Sequence, residues 1–252
     1  MGRIIAVANQ KGGVGKTTTV VNLAAALAEA EQRVLAVDFD PQGNMTSGLG
    51  IDKKSLEKTV YHMIMENTPF EDVVQKSYSE YLDILPANID LSGAEIELLE
   101  AEEKERRLKA HLDLLRDRYD FILIDCPPSL SILTVNGLTA ADTLLIVIQC
   151  EYYAMEGLDQ IIRTVQLMQQ ALNPDLAIEG IVFTMYDQRN KLSAQVVESV
   201  KQELGANTYK SIIPRNVRLA EAPSHGMPVT EYDSSSSGAE SYRMLAAEVI
   251  AK

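Results

Sequence analysis

The chain has 252 residues, 46% of them hydrophobic, and a formal net charge of −13. That balance excludes a generally basic nucleic-acid binder and leaves enough apolar sequence for a sizeable core. No apolar run reaches the length of a membrane span and the N-terminus lacks a signal peptide's pattern. Cys126 and Cys150 share no metal spacing, so a reduced, cytoplasmic α/β protein of one domain, residues 1–252, is expected.

Residues Ile4 to Val7 predict a buried strand. A glycine-rich turn follows, then a helix from about Lys16, with Val20, Leu23, Ala24 and Leu27 on one apolar stripe. Strand, turn and helix N-terminus make an anion cradle, because glycines let backbone N–H groups turn inward and the helix dipole favours negative charge. Lys16 would supply a cation to the β- and γ-phosphates of a nucleoside triphosphate, and Thr17 a hydroxyl to Mg²⁺. The ordinary phosphate-loop spacing needs glycine where this chain has Gln10. The turn is instead Lys11-Gly-Gly-Val-Gly-Lys-Thr-Thr18, with an extra lysine at its start.

The second strand, Arg33 to Val37, runs into Asp38-Phe-Asp-Pro-Gln-Gly-Asn44, whose Pro41 and Gly43 predict a loop. Two carboxylates two positions apart lie on the same side of a strand. Beside a phosphate site they can hold Mg²⁺ through water or orient an attacking water. Ser55 reads as the N-cap of a helix to about Glu66, and Tyr81 to Leu85 as a short strand. Ser92 to Arg118 reads as one long charged helix, exposed, with Leu98, Leu108, Leu112 and Leu115 on its inner face.

Tyr119 to Asp125 has the form of a strand whose terminal carboxylate reaches the Mg²⁺ shell, and Pro127 and Pro128 end it. Then come a loop and helix over Ser129–Ala141, a strand at Leu144–Ile148 and a helix from Glu156 to Leu172. A strand at Ile178–Thr184, a helix at Leu192–Leu204 and a strand at Ser211–Ile213 complete the alternation. Such a pattern specifies a mostly parallel, doubly wound sheet flanked by helices, with ligands at the carboxyl ends of the strands. Residues 187 to 218 hold six basic residues against three acidic, a local cationic stretch on an acidic chain.

With these motifs placed, the chain resembles the ParA/Soj-type partition ATPases, which are phosphate-loop NTPases with a deviant Walker A sequence. The resemblance rests on Lys11–Thr18, Asp38–Asn44, Asp125-Cys-Pro-Pro128, Cys150-Glu-Tyr-Tyr153 and Pro214-Arg-Asn-Val-Arg-Leu-Ala-Glu-Ala-Pro-Ser-His-Gly226, over essentially the whole chain. It implies an ATP- and Mg²⁺-dependent nucleotide-sandwich homodimer with weak hydrolysis until a partner acts. The loop Lys11, Gly12, Gly13, Val14, Gly15, Lys16, Thr17 and Thr18 would hold the phosphates, and Pro214 and Asn216 the adenine. Lys11 would reach the partner subunit's phosphates, and Gly12 would let the two loops approach. Asp40 would position the hydrolytic water, with Lys11 and Lys16 as the other catalytic groups. Thr17 and, through water, Asp125 would hold the metal. Arg189 and Arg218 match arginines that bind DNA without sequence preference, and a ParB-like centromere-binding protein would trigger release on the nucleoid.

The alternative is a MinD-like membrane-associated positioning ATPase. It would need a basic amphipathic C-terminal helix, whereas the charges of Glu240, Arg243, Glu248 and Lys252 cancel, so no membrane is expected. An iron–sulfur reductase would need exposed cysteines, and Ser224 beside His225 lacks a nucleophile elbow. The first strand starts at Arg3, so no helix-turn-helix is expected before it.

Overall fold

The computed structural model describes residues 2–252. In chain order the strands are β1 (Arg3–Ala8), β2 (Val34–Asp38), β3 (Gln75–Lys76), β4 (Leu82–Leu85), β5 (Phe121–Asp125), β6 (Thr143–Gln149), β7 (Ala177–Tyr186) and β8 (Thr208–Pro214). They form one eight-stranded sheet in the order β3-β4-β2-β5-β1-β6-β7-β8, with every pairing parallel except β3 on β4. Buried on both faces, β2 and β5 read as continuous apolar runs because neither side meets water.

Helices cover both faces. One bears α1 (Lys16–Glu29), α2 (Asn44–Gly48), α10 (Val217–Glu221), α11 (Val229–Tyr232) and α12 (Ser237–Ile250), around a core that includes Leu23, Leu27, Tyr242 and Leu245. The other bears α3 (Val60–Glu66), α4 (Phe70–Val73), α5 (Leu91–Glu97), α6 (Arg107–Leu112), α7 (Ile132–Ala140), α8 (Ala154–Ala171) and α9 (Lys191–Leu204). The connections from β1 and from β5 lead to opposite sides of β1, so a crevice opens at the carboxyl ends of the central strands.

Two expectations need correcting. The charged stretch is not one helix: α5 tightens into a 3-10 turn at Leu98–Glu100, Glu103 takes a positive φ of 48°, and α6 starts afresh at Arg107. The leucine spacing does not force the break: a continuous helix would also keep Leu98, Leu108, Leu112 and Leu115 within about 100° of one another, and in the broken form Leu98, Leu108 and Leu112 are fully buried. The Asn136 amide of α7 pins the restart, donating to the Lys104 carbonyl at 2.7 Å and accepting from Leu108 N–H at 3.3 Å.

Ser55 caps no helix; its hydroxyl donates to the Asp52 carbonyl within a turn. Thr59 is the N-cap, and His62 completes a capping box by accepting the Thr59 N–H at 3.1 Å, a role the sequence pattern reserves for Glu or Gln. The loop expected after Asp38 spans residues 39–43 and leads into α2, whose N-cap Gly43 is left-handed.

Candidate functional site

The turn between β1 and α1 is braced from three sides. Asn9 donates to the Val147 carbonyl at 2.7 Å and accepts the Lys11 N–H at 2.9 Å. Gln10, at the position where the ordinary pattern has glycine, reaches away to the Thr164 hydroxyl of α8 at 2.9 Å. Thr184, near the end of β7, donates to the Val14 carbonyl at 2.7 Å. Gly13 and Gly15 take φ of 74° and 94°, the left-handed region that β-carbons resist, and Val14 is buried between them. Gly12 differs: its φ is not positive, and a Cβ there would meet nothing within 4 Å. Nothing within the chain requires glycine at that position.

Lys16 opens α1, 6% exposed, with its ammonium 3.2 Å from the Lys11 carbonyl. Burial lowers its pKa, against the opposing pull of Asp125 and Asp40. Lys11 points outward. Its side chain is 41% exposed, 3.5 Å from Glu151 and 5.9 Å from the centroid of the Tyr153 ring.

The carboxylates converge from two strands, with Asp38 and Asp125 side by side in the parallel register of β2 and β5. Asp38 is committed to the fold: its Oδ2 accepts both the backbone N–H and the hydroxyl of Thr46 at 2.7 Å. Burial pushes its pKa up to about 6. Asp40, 8% exposed, accepts the Gln42 N–H through Oδ1 at 2.9 Å and feels Lys16. Asp125 is fully buried, and neither of its carboxylate oxygens has a hydrogen-bond partner. Burial, then the neighbouring Asp38, raises its pKa well above the carboxylate range, while nearby Thr17 favours ionisation without completing a bond. A doubly orphaned buried carboxylate beside a threonine hydroxyl supplies the oxygen donors of a hydrated Mg²⁺ site, with Lys16 beside it for the phosphates, so the residues fit that ion.

Next to the cradle lies a cavity of about 340 Å³ whose walls include Gly15, Thr18, Thr184, Ile213, Pro214 and Asn216. It is mostly apolar and joins the phosphate turn to the end of β8. Pro214 and Asn216 therefore meet the phosphate loop.

Arg189 and Arg218 sit apart from it, just past the carboxyl ends of the neighbouring strands β7 and β8, which the Arg215 N–H bridges by donating to the Tyr186 carbonyl at 2.9 Å. Arg189 is bound to Asp187 at 3.1 Å, and Arg218 to Glu221 and Asp233 at 2.8 and 3.1 Å. The expected cationic stretch is therefore largely neutralised at these two arginines. Cys126 and Cys150 are free thiols, both buried. Burial pushes the Cys150 thiol up to about 12.

Sequence reasoning passed over Asn9, Thr184 and Thr46, and met Glu151 only within Cys150-Glu-Tyr-Tyr153. Asn9 left a trace, a polar residue directly after an apolar strand; Thr184 and Glu151 have partners remote in sequence, and Thr46 reaches back eight residues to Asp38.

The family described as an AAA domain matches residues 2–178. The sporulation initiation inhibitor protein Soj of Bacillus subtilis is 55% identical over 251 residues, covering 100% of this chain and 99% of that protein. The chromosome partitioning protein ParA of Myxococcus xanthus is 50% identical over 250 residues, covering 99% and 88%. The crystal structure of cobyrinic acid a,c-diamide synthase from Mycobacterium smegmatis with bound ATP analog and magnesium superposes with a TM-score of 0.84 at 40% identity, covering 99% of this chain and 95% of that one.

Proposed function

This chain belongs to the ParA/Soj family of chromosome-partitioning ATPases, and on that premise we propose that residues 1–252 act as one ATP-driven switch on the nucleoid. ATP with Mg²⁺ closes a sandwich homodimer that binds DNA without sequence preference. Hydrolysis to ADP and phosphate, slow until a ParB-like centromere-binding partner acts, opens it. The carrying observation is the front of the phosphate turn: behind it the cradle is built, while Lys11 faces outward and Gly12 answers no need of its own fold. A second subunit supplies that need. Gly12 allows close approach of the partner's loop, and Lys11 exchanges Glu151 for the partner's phosphates. Tyr152 and Tyr153, exposed at 76% and 61% beside it, are apolar area for the same contact.

Within each subunit Lys16 holds the β- and γ-phosphates, and Pro214 and Asn216 flank the base. Thr17, and Asp125 through water, would hold Mg²⁺, which when bound neutralises phosphate charge. Asp40, with one carboxylate oxygen left over from the Gln42 turn, orients the attacking water. Arg189 and Arg218 contact DNA phosphates, which needs no base readout.

Two other readings lack support. Helix α12 buries Tyr242, Leu245, Ala246 and Val249 against α1 and β8, so it does not offer a membrane its apolar face as a MinD-like anchor would. An amide-forming ligase would need a second substrate cavity beside the phosphates. The space there, about 450 Å³ between Thr17, Asn44, Ser47 and Met227, is lined by no titratable group among the described residues.

The test is binding to non-specific duplex DNA with ATP, with ADP and without nucleotide, across a salt series, for the wild type and Arg189→Ala/Arg218→Ala. The expected result is ATP-dependent, salt-sensitive binding that the double variant loses. Binding in no state would overturn the reading, and vesicle binding in its place would favour the membrane alternative.

A further inference from the structure

The arginine proposed to hold DNA is already occupied. Arg218 Nη1 donates to Glu221 Oε2 at 2.8 Å, and its Nε lies 3.1 Å from Asp233 Oδ2. Glu221 Oε2 also accepts the Tyr232 hydroxyl at 3.3 Å, and Tyr232 stacks on His225 with ring centroids 4.9 Å apart. One positive charge held by two carboxylates presents net negative charge to an approaching phosphate. Arg215, exposed three residues earlier, makes no ion pair among the described residues.

The segment that carries these groups, residues 214–233, is tied to the nucleotide site at three points. Pro214, Asn216, Val217 and Leu219 line the cavity beside Gly15 and Thr18, and the Asn216 side chain accepts the Arg218 N–H at 2.7 Å. The residue at the base pocket thus caps the short helix that bears Arg218. Asn22 of α1 accepts the Val229 N–H at 2.7 Å, immediately before the Glu221–Tyr232–Asp233 contacts. Gly226 abuts Gly50, which follows α2: a Cβ on Gly226 would meet the Gly50 Cα at 2.9 Å. Since α2 starts four residues after Asp40, a shift of that carboxylate's loop reaches Gly226 through packed backbone.

We propose that Glu221 and Asp233 form an acidic mask over Arg218, in place when the subunit is nucleotide-free or holds ADP. ATP binding and dimer closure re-seat residues 214–233, and DNA phosphate replaces the two carboxylates. The mask rests on the DNA-binding reading above and adds the device that makes binding conditional. Side-chain exposures of 51%, 40% and 30% for Arg218, Glu221 and Asp233 keep the pairs solvent-screened and exchangeable.

The test compares Glu221→Gln/Asp233→Asn with the wild type and with Glu100→Gln/Glu102→Gln, which removes the same charge from an exposed segment elsewhere. Binding to non-specific duplex is measured against salt with ATP and with ADP. Unmasking should tighten ADP-state binding on the order of ten-fold and steepen its salt slope by about one, with the ATP state changed far less. The ATP/ADP preference then falls. Equal gains in both states, or an ADP-state gain no larger than the control's, overturn the mask. Should the double variant misfold, Glu221→Gln alone must still lower the ATP/ADP preference, and an unchanged preference overturns it too. Wild-type binding that ignores ATP would instead remove the function proposed above. ATP-dependent wild-type binding with unmoved variants removes the mask alone.

Discussion

The phosphate cradle and the arginine rim lie at the same edge of the sheet and are opposite in electrostatic design. In the cradle two buried charges have their valences unmet: Asp125 has no hydrogen-bond partner, and Lys16 donates only to a carbonyl. At the rim the charges are exposed and already met, Arg189 by Asp187 and Arg218 by Glu221 and Asp233. Buried unpaired groups are costly, so the cradle is preorganised for ligands that complete it. Screened surface pairs exchange partners cheaply, so the rim is suited to binding that switches on and off.

The largest effect that would break this contrast lies at Asp40. Asp40→Ala should lower hydrolysis by about 10² to 10⁴-fold, the usual worth of a group that positions a proton-transferring water, while ATP binding and the closed dimer persist. Hydrolysis at the wild-type rate, measured as phosphate release, would remove Asp40 from catalysis.

The cost of the cradle should itself be measurable as pH dependence. Asp38 is raised from 3.8 to about 6 in the fold, so between those values the native state keeps a proton that the unfolded chain has lost. Stability of the nucleotide-free, metal-free protein should therefore fall as pH rises through that window, by roughly 3 kcal/mol from this group. Asp187 at the rim goes the other way: its pairing with Arg189 lowers its pKa, so its small contribution is present at neutral pH and lost on acidification. Denaturation of wild type and Asp38→Asn in chelator would check the sign, the wild type gaining on the variant as pH drops from about 7.5 to 5. A gain with rising pH would contradict the frustrated-carboxylate account.

At the front of the cradle, Gly12→Leu should weaken ATP-dependent dimerisation by about 10²-fold, close to 2.7 kcal/mol. The free subunit should keep its melting temperature and its ATP binding, since a Cβ at Gly12 meets nothing in its own fold. Sedimentation with ATP would decide; a variant that dimerises normally removes the reason given for the glycine.

The cradle was far more legible in the sequence than the rim. Lys11–Thr18 and Asp38–Asn44 are contiguous, and their chemistry follows from spacing along one strand, one turn and one helix. The sheet was legible for a similar reason, since strands buried on both faces leave unbroken apolar runs. What stayed hidden depends on distant pairing. Thr46 holding Asp38, Asn136 pinning the restart at Arg107, and Asp233 reaching Arg218 join residues from separate elements, and no local pattern announces them. The stretch at residues 187–218 read as basic because a charge tally counts Arg218 but cannot see Glu221 and Asp233 just beyond it.

The smallest predicted effect sharpens the comparison most. A double-mutant cycle on Asp187→Ala and Arg189→Ala should give a coupling close to zero, and each single variant should unfold at nearly the wild-type denaturant midpoint. Arg189 is 90% exposed on its side chain, so water solvates the guanidinium whether or not Asp187 is present. The pair can then be given up to a phosphate with little loss of fold stability, which is what conditional DNA binding at the rim requires. A clear coupling, read as single-variant midpoints that fail to add in the double variant, would mean that the rim is held as firmly as the cradle. The two regions would then no longer divide the work between fixed and exchangeable charge.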